Sequence, residues 1–243
     1  INGKDHIGAI CGRNVKATIA NCTVDNSVTV TGDADSGNYI GGVCGYNMGG
    51  DIINCTNKST IIYDGDGVNI GGICGQTQKS KTEKTGSIRN CVNSGTISCN
   101  DNFVGGICSY NGSSSLIENC CNRGTFTGTN TGTNKTTSGV CDTNDGTITN
   151  CYNTSTAISG VCESNNGTIT NCYNTGTATS GVCHLNDGTI TNCYYLDTSS
   201  SANGSAISKT AAQFASGEVC WLLNGSTATG VWKQDIDVDD TPD

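Results

Sequence analysis

The sequence predicts an all-β chain that forms a parallel β-helix, or β-solenoid, of about seven coils with a short α-helical C-terminal cap. Three consecutive 21-residue blocks from Thr137 to Ser199 are nearly identical: TSGVCDTNDGTITNCYNTSTA, ISGVCESNNGTITNCYNTGTA and TSGVCHLNDGTITNCYYLDTS. Each block holds short β-prone runs separated by Asn-Asp-Gly or Asn-Asn-Gly turns, and no segment before residue 208 has helical apolar spacing. So short a unit can bury its apolar residues only by stacking on copies of itself.

The repeat has two halves, and both recur along most of the chain. The first half is x-Gly/Ser-Gly/Ala-Val/Ile-Cys, at residues 7–11, 40–44, 70–74, 104–108, 137–141, 158–162 and 179–183. The second half is Ile-x-Asn-Cys, at residues 19–22, 52–55, 88–91, 117–120, 148–151, 169–172 and 190–193. Seven complete repeats therefore predict one solenoid domain over residues 1–200.

Stacking places like residues in columns. The Ile of the second half is predicted to face the interior, and the Asn two residues later is predicted at a bend, in left-handed geometry, with amides bonded from coil to coil. Charged and neutral residues alternate in the turn column Asp145, Asn166 and Asp187, which avoids stacked carboxylates. A 21-residue period with irregular loops favours a right-handed coil, because left-handed solenoids usually have an 18-residue coil built from hexapeptides.

The first four repeats are longer, and most of the extra length follows the second half. It reads SVTVTGDADSGN, STIIYDGDGVN, GTISCNDN and GTFTGTNTGTN. Each segment starts as a β-type run and ends in a Gly/Asn/Asp loop, and we interpret these segments as loops that protrude from one edge of a regular core. Binding specificity is therefore expected between residues 23 and 136.

These loops carry the candidate binding residues of the sequence, which form a row of carboxylates if the coils stack. They are Asp33, Asp35, Asp64, Asp66 and Asp101. Oxygen-rich loops can bind Ca²⁺, but D-A-D-S-G and D-G-D-G-V lack the bidentate acid twelve residues after the first Asp. Solvated turns without a cofactor are thus the favoured interpretation, and Ca²⁺ is the alternative.

The string Gly-Gly-Val/Ile-Cys-Gly-x-Asn…Gly-x-Ile-x-Asn-Cys-x-Asn-x-Gly resembles the GLUG-motif repeat. Residues 41–55 and 160–176 carry the resemblance most clearly, and it covers roughly residues 7–199. Such repeats occur in large secreted or wall-attached bacterial proteins, including regions flanking IgA-specific metalloproteases. The resemblance implies an extracellular bacterial β-helix and brings no catalytic residues with it. Many members have an apolar residue where this chain has Cys.

Cysteine is abundant: 17 residues, of which fourteen occupy the two repeat slots. The odd number leaves at least one thiol without a partner in the chain. Both slots adjoin buried columns, where Cys packs as a small apolar residue, so reduced core cysteines are favoured. Several disulfides, as is usual in secreted chains, remain the alternative. A metal site is disfavoured because no Cys-x-x-Cys occurs and only His6 and His184 are present.

Charge and motifs exclude several function classes. Net charge is −9 with 12 basic residues and no Lys/Arg cluster in the sequence, which argues against nucleic acid, and no apolar stretch is long enough to span a membrane. No H-E-x-x-H, G-x-S-x-G or Walker loop is present. Thr pairs at 147/149, 168/170 and 189/191 resemble ice-binding arrays, but the upstream slots break the array.

The pattern changes near residue 206. Thr210 and Gln213 form a capping box before an apolar run that ends at Asn224-Gly225, and Gly217 is expected to split the helix. Residues 201–233 are predicted to be a cap that closes the open end of the solenoid. Its packing residues are predicted to be Phe214, Val219, Trp221, Leu222 and Trp232. Residues 234–243 are acidic and read as a linker.

Together these features predict a non-enzymatic, cysteine-rich extracellular repeat module of a bacterial cell-surface or secreted protein, acting as a stalk or adhesin. The alternative is a glycan-binding or glycan-cleaving β-helix, with an ice-binding solenoid as a remote third. Partners are expected to be a host or environmental glycan or protein, without nucleic acid or membrane insertion. The chain has neither an initiator Met nor a signal peptide, so we expect a monomeric fragment of a larger protein.

Overall fold

A computed structural model describes residues 1–33, 39–65, 67–100, 103–128, 136–199, 204–227, 229–236 and 238–243. Within these ranges the chain winds through five parallel sheets, here named A to E, and two short helices. Consecutive coils, numbered 1 to 7 with one per repeat, supply neighbouring strands of each sheet. The predicted parallel β-helix is therefore confirmed, whereas the right-handed coil stays a prediction.

The strands are short and differ between sheets mainly in number. Sheet A comprises Asn2–Gly3, Thr29–Gly32, Thr60–Tyr63, Thr96–Cys99 and Thr125–Thr127. Sheet B comprises His6–Gly8, Tyr39–Gly41, Asn69–Gly71, Phe103–Gly105, Thr136–Ser138, Ala157–Ser159 and Ala178–Ser180. Sheet C comprises Cys11–Val15, Cys44–Met48, Cys74–Gln78, Cys108–Asn111, Cys141–Asn144, Cys162–Asn165 and Cys183–Asn186.

The remaining two sheets complete each coil. Sheet D comprises Thr18–Ala20, Asp51–Ile53, Ser87–Arg89, Leu116–Glu118, Thr147–Thr149, Thr168–Thr170 and Thr189–Thr191. Sheet E comprises Thr23–Val24, Thr56–Asn57, Val92–Asn93, Cys121–Asn122, Tyr152–Asn153, Tyr173–Asn174, Tyr194–Leu196 and Ile207–Lys209. Coils 5 to 7 have no strand in sheet A among the described residues, which is why their repeats need only 21 residues.

The main core consists of the predicted columns. In sheet D the Ile residues pair in register from Ile19 to Ile190, and those between them are fully buried. The Val or Ile before the Cys of the first half, and the Cys residues of both halves, also form columns and complete this cluster. Ile10 is the exception, with 47 % of its surface exposed, because coil 1 is covered by a neighbouring coil on one side only.

All 17 cysteines are described, and each is a free thiol. The cysteines of the first half of the repeat donate to the carbonyl two residues ahead, as Cys74 Sγ does to Gln76 O at 3.1 Å. The cysteines of the second half of the repeat donate to the carbonyl two residues back, as Cys91 Sγ does to Arg89 O at 3.1 Å. Burial raises the pKa of the Cys74 thiol well above its ordinary value. Cys74 therefore acts as a small, unreactive core residue.

The interpretation of the long segments as loops is wrong for their first halves. Strands of sheet A form there, and a second apolar cluster fills the space between sheets A and B. Val30, Ile61 and Ile97 at its centre are at most 1 % exposed. The alternating β-branched residues of these segments gain more from burial against sheet B than from exposure in a loop.

The predicted Asn column is confirmed and forms an outer ladder. All seven residues have positive φ between 52° and 57°: Asn21, Asn54, Asn90, Asn119, Asn150, Asn171 and Asn192. Hydrogen bonds between side-chain amides join neighbouring coils. Asn54 Nδ2 donates to Asn21 Oδ1 at 3.1 Å, and Asn192 Nδ2 donates to Asn171 Oδ1 at 2.7 Å. In the turn column, the neutral Asn166 likewise donates to the neighbouring Asp145 at 2.8 Å, so a carboxylate faces an amide there and not a second carboxylate.

Two further amide ladders lie inside the solenoid and were not expected. The first inner ladder joins Asn57, Asn93, Asn122, Asn153 and Asn174 through bonds of 2.8 to 3.0 Å. The second inner ladder runs along the end of sheet C through Asn14, Asn47, Thr77, Asn111, Asn144, Asn165 and Asn186. Their members are nearly all fully buried, and the second inner ladder also donates to backbone carbonyls of Gly50, Thr147 and Thr168.

The helices form as predicted but lie elsewhere. Helix α1 spans Ala211–Ala215 behind the Thr210–Gln213 capping box, α2 spans Glu218–Leu223, and Gly217 at φ 80° separates them. Among the described residues, the two helices of the cap do not cover the open end. The cap packs on the outer side of sheet E against Tyr173 and Tyr194, because the outward Tyr residues of the last coils offer an apolar strip.

The burial of individual cap residues depends on this placement. Phe214, Val219 and Trp232 are buried as expected, whereas Trp221 is 48 % exposed and was wrongly assigned to the interface. At the end of the solenoid, Tyr195 and Ala206 pack against the main core.

Residues 234–243 return along sheet E in the part that is described. Asp243 accepts from Arg123 of coil 4 at 3.1 Å, and Pro242 O accepts from the Tyr173 hydroxyl. Lys233 and Asp243 exchange backbone bonds of 2.8 and 3.0 Å. This acidic segment is thus docked on the solenoid, and its role as a linker stays a prediction.

Candidate functional site

The structure describes two of the five predicted loop carboxylates. Asp33 lies 3.8 Å from Lys4 in an exposed ion pair, and Asp64 is exposed. Asp35, Asp66 and Asp101 lie outside the described residues. In the ranges that are described, no group of three His, Cys, Asp or Glu residues is placed to hold a metal ion. Ca²⁺ binding at this edge stays a prediction.

A more developed site is a groove of about 490 Å³ beside sheet C. Sheet C contributes five outward side chains, from Arg13 in coil 1 to Tyr110 in coil 4; the other three are Tyr46, Met48 and Gln78. The loop after Gln78 contributes Lys79, Ser80, Lys81 and Glu83, and the next turn contributes Gly112 and Ser113. We call this feature the basic groove. It spans four coils along the rod.

An insertion peculiar to repeat 3 forms one side of the basic groove. Eight residues, 79–86, separate the strands of sheets C and D in coil 3, whereas Gly49 and Gly50 suffice in coil 2. Ser80, only 2 % exposed, closes the loop by donating its N–H to Lys84 O at 2.8 Å.

The inserted loop is held by the preceding coils. Gly49, at φ 65°, donates its N–H to Gln78 O at 2.8 Å, and a Cβ there would lie 2.7 Å from Lys84 O. Lys84 Nζ reaches Lys16 O of coil 1 at 3.1 Å. The loop is therefore positioned before any ligand arrives, which lowers the entropic cost of binding.

Arg13 is fixed over an aromatic cluster. Its guanidinium carbon lies 5.7 Å from the centroid of the Tyr46 ring, which stacks on Tyr39 at 5.0 Å and meets His6 at 5.1 Å. Burial lowers the pKa of His6, and the charge of Arg13 lowers it further. His6 is therefore neutral at pH 7, and Arg13 supplies the positive charge of this end of the basic groove.

Neutral polar groups lie between the cations. Gln76 donates to Gln78 Oε1 at 2.8 Å, and Gln78 in turn donates to the Tyr46 hydroxyl. The Tyr110 hydroxyl donates to Asp145, and this hydrogen bond raises the pKa of Tyr110 to about 12. The phenol thus stays protonated, and the site presents amides and hydroxyls that match a hydroxyl-bearing ligand.

Composition suggested that basic residues are not clustered, and the structure corrects this view. Lys79, Lys81 and Lys84 lie within six residues, and folding brings Arg13 and Lys16 of coil 1 beside them. The usable signal in the sequence was the distance of 14 residues from Cys74 to Ile88, against 7 to 9 in the other repeats. That insertion lies inside the predicted range 23–136, but between the two halves of the motif.

A second cavity, of about 240 Å³, lies where sheet A ends. Ile97, Phe126 and Ile158 line it together with the buried thiol of Cys99, and none of its described lining residues is charged. It offers packing space but few groups that could orient a polar ligand.

One acid is buried outside the groove. Asp142 is 2 % exposed, and among the described residues its Oδ1 has no hydrogen-bond partner. Burial raises the pKa of Asp142 to about 7 and the charge of Glu163 on the next coil adds to the rise, although hydrogen bonds from Thr136 and Thr143 oppose it. His184, in the same slot of coil 7, is exposed as expected.

We expect Asp142→Asn to remove a pH dependence of stability. The folded protein keeps the Asp142 proton up to about pH 7, whereas the unfolded chain loses it near its ordinary pKa. Wild-type stability should therefore fall by roughly 3 kcal/mol between pH 4 and pH 7, and level off above the folded-state pKa. Urea unfolding at four pH values measures this change of stability with pH. The exposed Asp64→Asn is the control and should retain the change. The same change in Asp142→Asn would show that Asp142 is not its source.

Fold and groove define a parallel β-solenoid with a lateral groove. Residues 5–31, 36–62 and 66–98 each match the family model of the GLUG motif, so the first three repeats carry GLUG motifs. The match covers the first three coils, including most of the basic groove. Neither curated proteins nor solved structures give a significant match to this chain. Within the described ranges, no helix has the length and apolarity needed to cross a membrane.

Proposed function

We propose that this chain is a non-enzymatic ligand-binding module of a bacterial surface or secreted protein, and that the basic groove binds a glycan. The observation that carries the proposal is the groove itself, in which amides, hydroxyls and cations are held by a rigid ladder of coils and an anchored loop. Resemblance to repeats of large secreted or wall-attached bacterial proteins supports the location. A stalk would need only the rod, so the groove favours the adhesin form of the proposal.

Binding is favoured over cleavage by the carboxylates near the groove. Most glycosidases use two carboxyl groups that flank the scissile bond. Glu83 is the one carboxylate among the described residues that line the basic groove, and it is bound to Lys79 at 2.9 Å. The described lining residues therefore supply only one of the two carboxyl groups that the glycan-cleaving alternative needs.

The test is to block the groove without altering its charges. Ser113→Trp places a large side chain at an exposed lining position, and we expect it to abolish retention of any glycan that the wild type binds on a glycan array. Ser164→Trp, on the outward face of sheet C two coils further along, is the control and should bind normally. Absence of glycan binding, equal binding by both variants, or depolymerisation of a bound polysaccharide would each refute the proposal.

A further inference from the structure

We infer that the ligand of the basic groove is an acidic glycan, an extended saccharide that carries carboxylate or sulfate groups. The inference rests on the proposed glycan binding and adds the chemical class of the ligand. Its starting point is the charge distribution. The chain has a net charge of −9, yet five of its 12 basic residues are gathered in coil 1 and the inserted loop of coil 3: Arg13, Lys16, Lys79, Lys81 and Lys84.

Only part of this positive charge is neutralised within the protein. Lys79 pairs with Glu83, and Lys84 lies 3.5 Å from Asp51. In the described part of the chain, neither Arg13 nor Lys81 makes an ion pair, although both line the groove. Two unpaired cations in one groove of an acidic protein are electrostatically complementary to a ligand that carries anionic groups.

The two unpaired cations differ in what they can bind. Arg13 is held over the Tyr46 ring with its Nη2 3.9 Å from Met48 Sδ, so its planar donors are oriented before binding. A guanidinium of this kind pairs in bidentate fashion with a carboxylate or a sulfate. Lys81 is an exposed point charge on the anchored loop.

Their positions favour an extended ligand over a small anion. Arg13 belongs to coil 1 and Lys81 to the loop of coil 3, and two coil steps correspond to about 10 Å along the rod. Gln78 and the Tyr110 hydroxyl lie in the same groove and match neutral sugar hydroxyls. A saccharide with acidic groups on separate units satisfies both features.

A nucleic acid fits less well. Single-stranded nucleic acids are bound largely through bases that stack on exposed aromatic rings. The Tyr46 ring is covered by Tyr39, His6 and Arg13, and Tyr46 is only 9 % exposed. The overall negative charge would also repel a long polyanion outside the groove.

The experiment compares polygalacturonate with its methyl ester, which has the same backbone without the negative charges. Isothermal titration with the whole chain should give at least about tenfold tighter binding of the acid form, the gain expected for one charge-assisted hydrogen bond. Arg13→Gln and Lys81→Gln should each lower that affinity about tenfold and leave weak binding of the ester unchanged. Lys58→Gln removes the same charge at an exposed position just after the sheet E strand Thr56–Asn57; it is the control and should have no effect.

Each outcome is decisive. Equal affinity for the acid and the ester, abolished by Ser113→Trp, would overturn the inference and leave the proposed function standing. Absence of binding to any glycan would overturn both. Binding of oligo-dT as tightly as polygalacturonate, or an equal loss in Lys58→Gln, would show a non-specific polyanion surface and overturn the inference. Circular dichroism of each variant verifies that the fold is retained.

Discussion

Gly139→Ala should destabilise the solenoid by about 3 kcal/mol or more, although it adds a single methyl group. A Cβ at Gly139 would lie 2.0 Å from Gly160 O on the next coil and 2.4 Å from the Asn153 side chain. Neither neighbour can withdraw. The backbone of Gly160 is fixed in its coil, and Asn153 is bonded at 2.9 Å to Asn122 and at 2.8 Å to Asn174.

The first repeat provides an internal comparison for this argument. Its corresponding slot holds Ala9, and the position that pairs with Asn57 in the first inner ladder is there occupied by Val24. Alanine thus occurs in the slot only where the ladder amide is missing. The final Gly of the motif is therefore required mainly by the close approach of the first inner ladder, and not by backbone conformation.

Urea unfolding followed by far-ultraviolet circular dichroism measures the effect. Gly3→Ala is the matched control, because a Cβ there would meet only the Ile7 side chain, at 3.1 Å, and should cost less than about 1 kcal/mol. Equal unfolding midpoints for the two variants would contradict the explanation.

The sequence could predict those features that recur in every coil. The Ile-x-Asn-Cys half gave the interior Ile column and the left-handed Asn bends, because a buried or bent slot repeats whenever coils stack in register. The capping box at Thr210 was equally readable, since it depends on residues three apart. Local and periodic signals were sufficient for both.

Features that depend on pairing between different faces could not be predicted. Whether the run at Thr60–Tyr63 forms a loop or a strand depends on Ile40 and Ile70 of sheet B, which close the second cluster. The candidate site is subject to the same limit. Arg13 and Lys79 are 66 residues apart and meet only because coils 1 to 3 stack and one insertion folds back across them.

The role of the inner Asn residues was also hidden. The sequence showed Asn two residues after most second-half Cys residues, but a polar residue in a narrow rod is usually assigned to the surface. Asn57, Asn93 and Asn122 are instead at most 1 % exposed, because each amide donates to one coil and accepts from another. A column of identical amides satisfies itself, and this makes polar residues tolerable in the interior.

Asn122→Asp tests this self-satisfaction most severely. Asn122 Nδ2 donates to Asn153 Oδ1 at 2.9 Å and to Ser155 Oγ at 2.7 Å, and its Oδ1 accepts from Asn93 and from Gly124 N. An aspartate keeps the acceptors but loses both donors, so a buried carboxylate would face the Asn153 oxygen. We expect a loss of about 3 to 5 kcal/mol at pH 7, the usual cost of an uncompensated buried charge.

The loss should shrink as the pH falls, which separates a charge effect from a packing effect. Burial would raise the folded-state pKa of the new acid above its unfolded value, so the folded protein takes up a proton first and stability returns towards pH 4. Asn119→Asp is the matched control, since it makes the same change three residues earlier in the exposed outer ladder, at φ 52°. It should cost less than about 1 kcal/mol with little pH dependence. Because the two sites share a coil and differ in burial, equal losses in both variants would mean that the inner ladder contributes no more to stability than a surface amide.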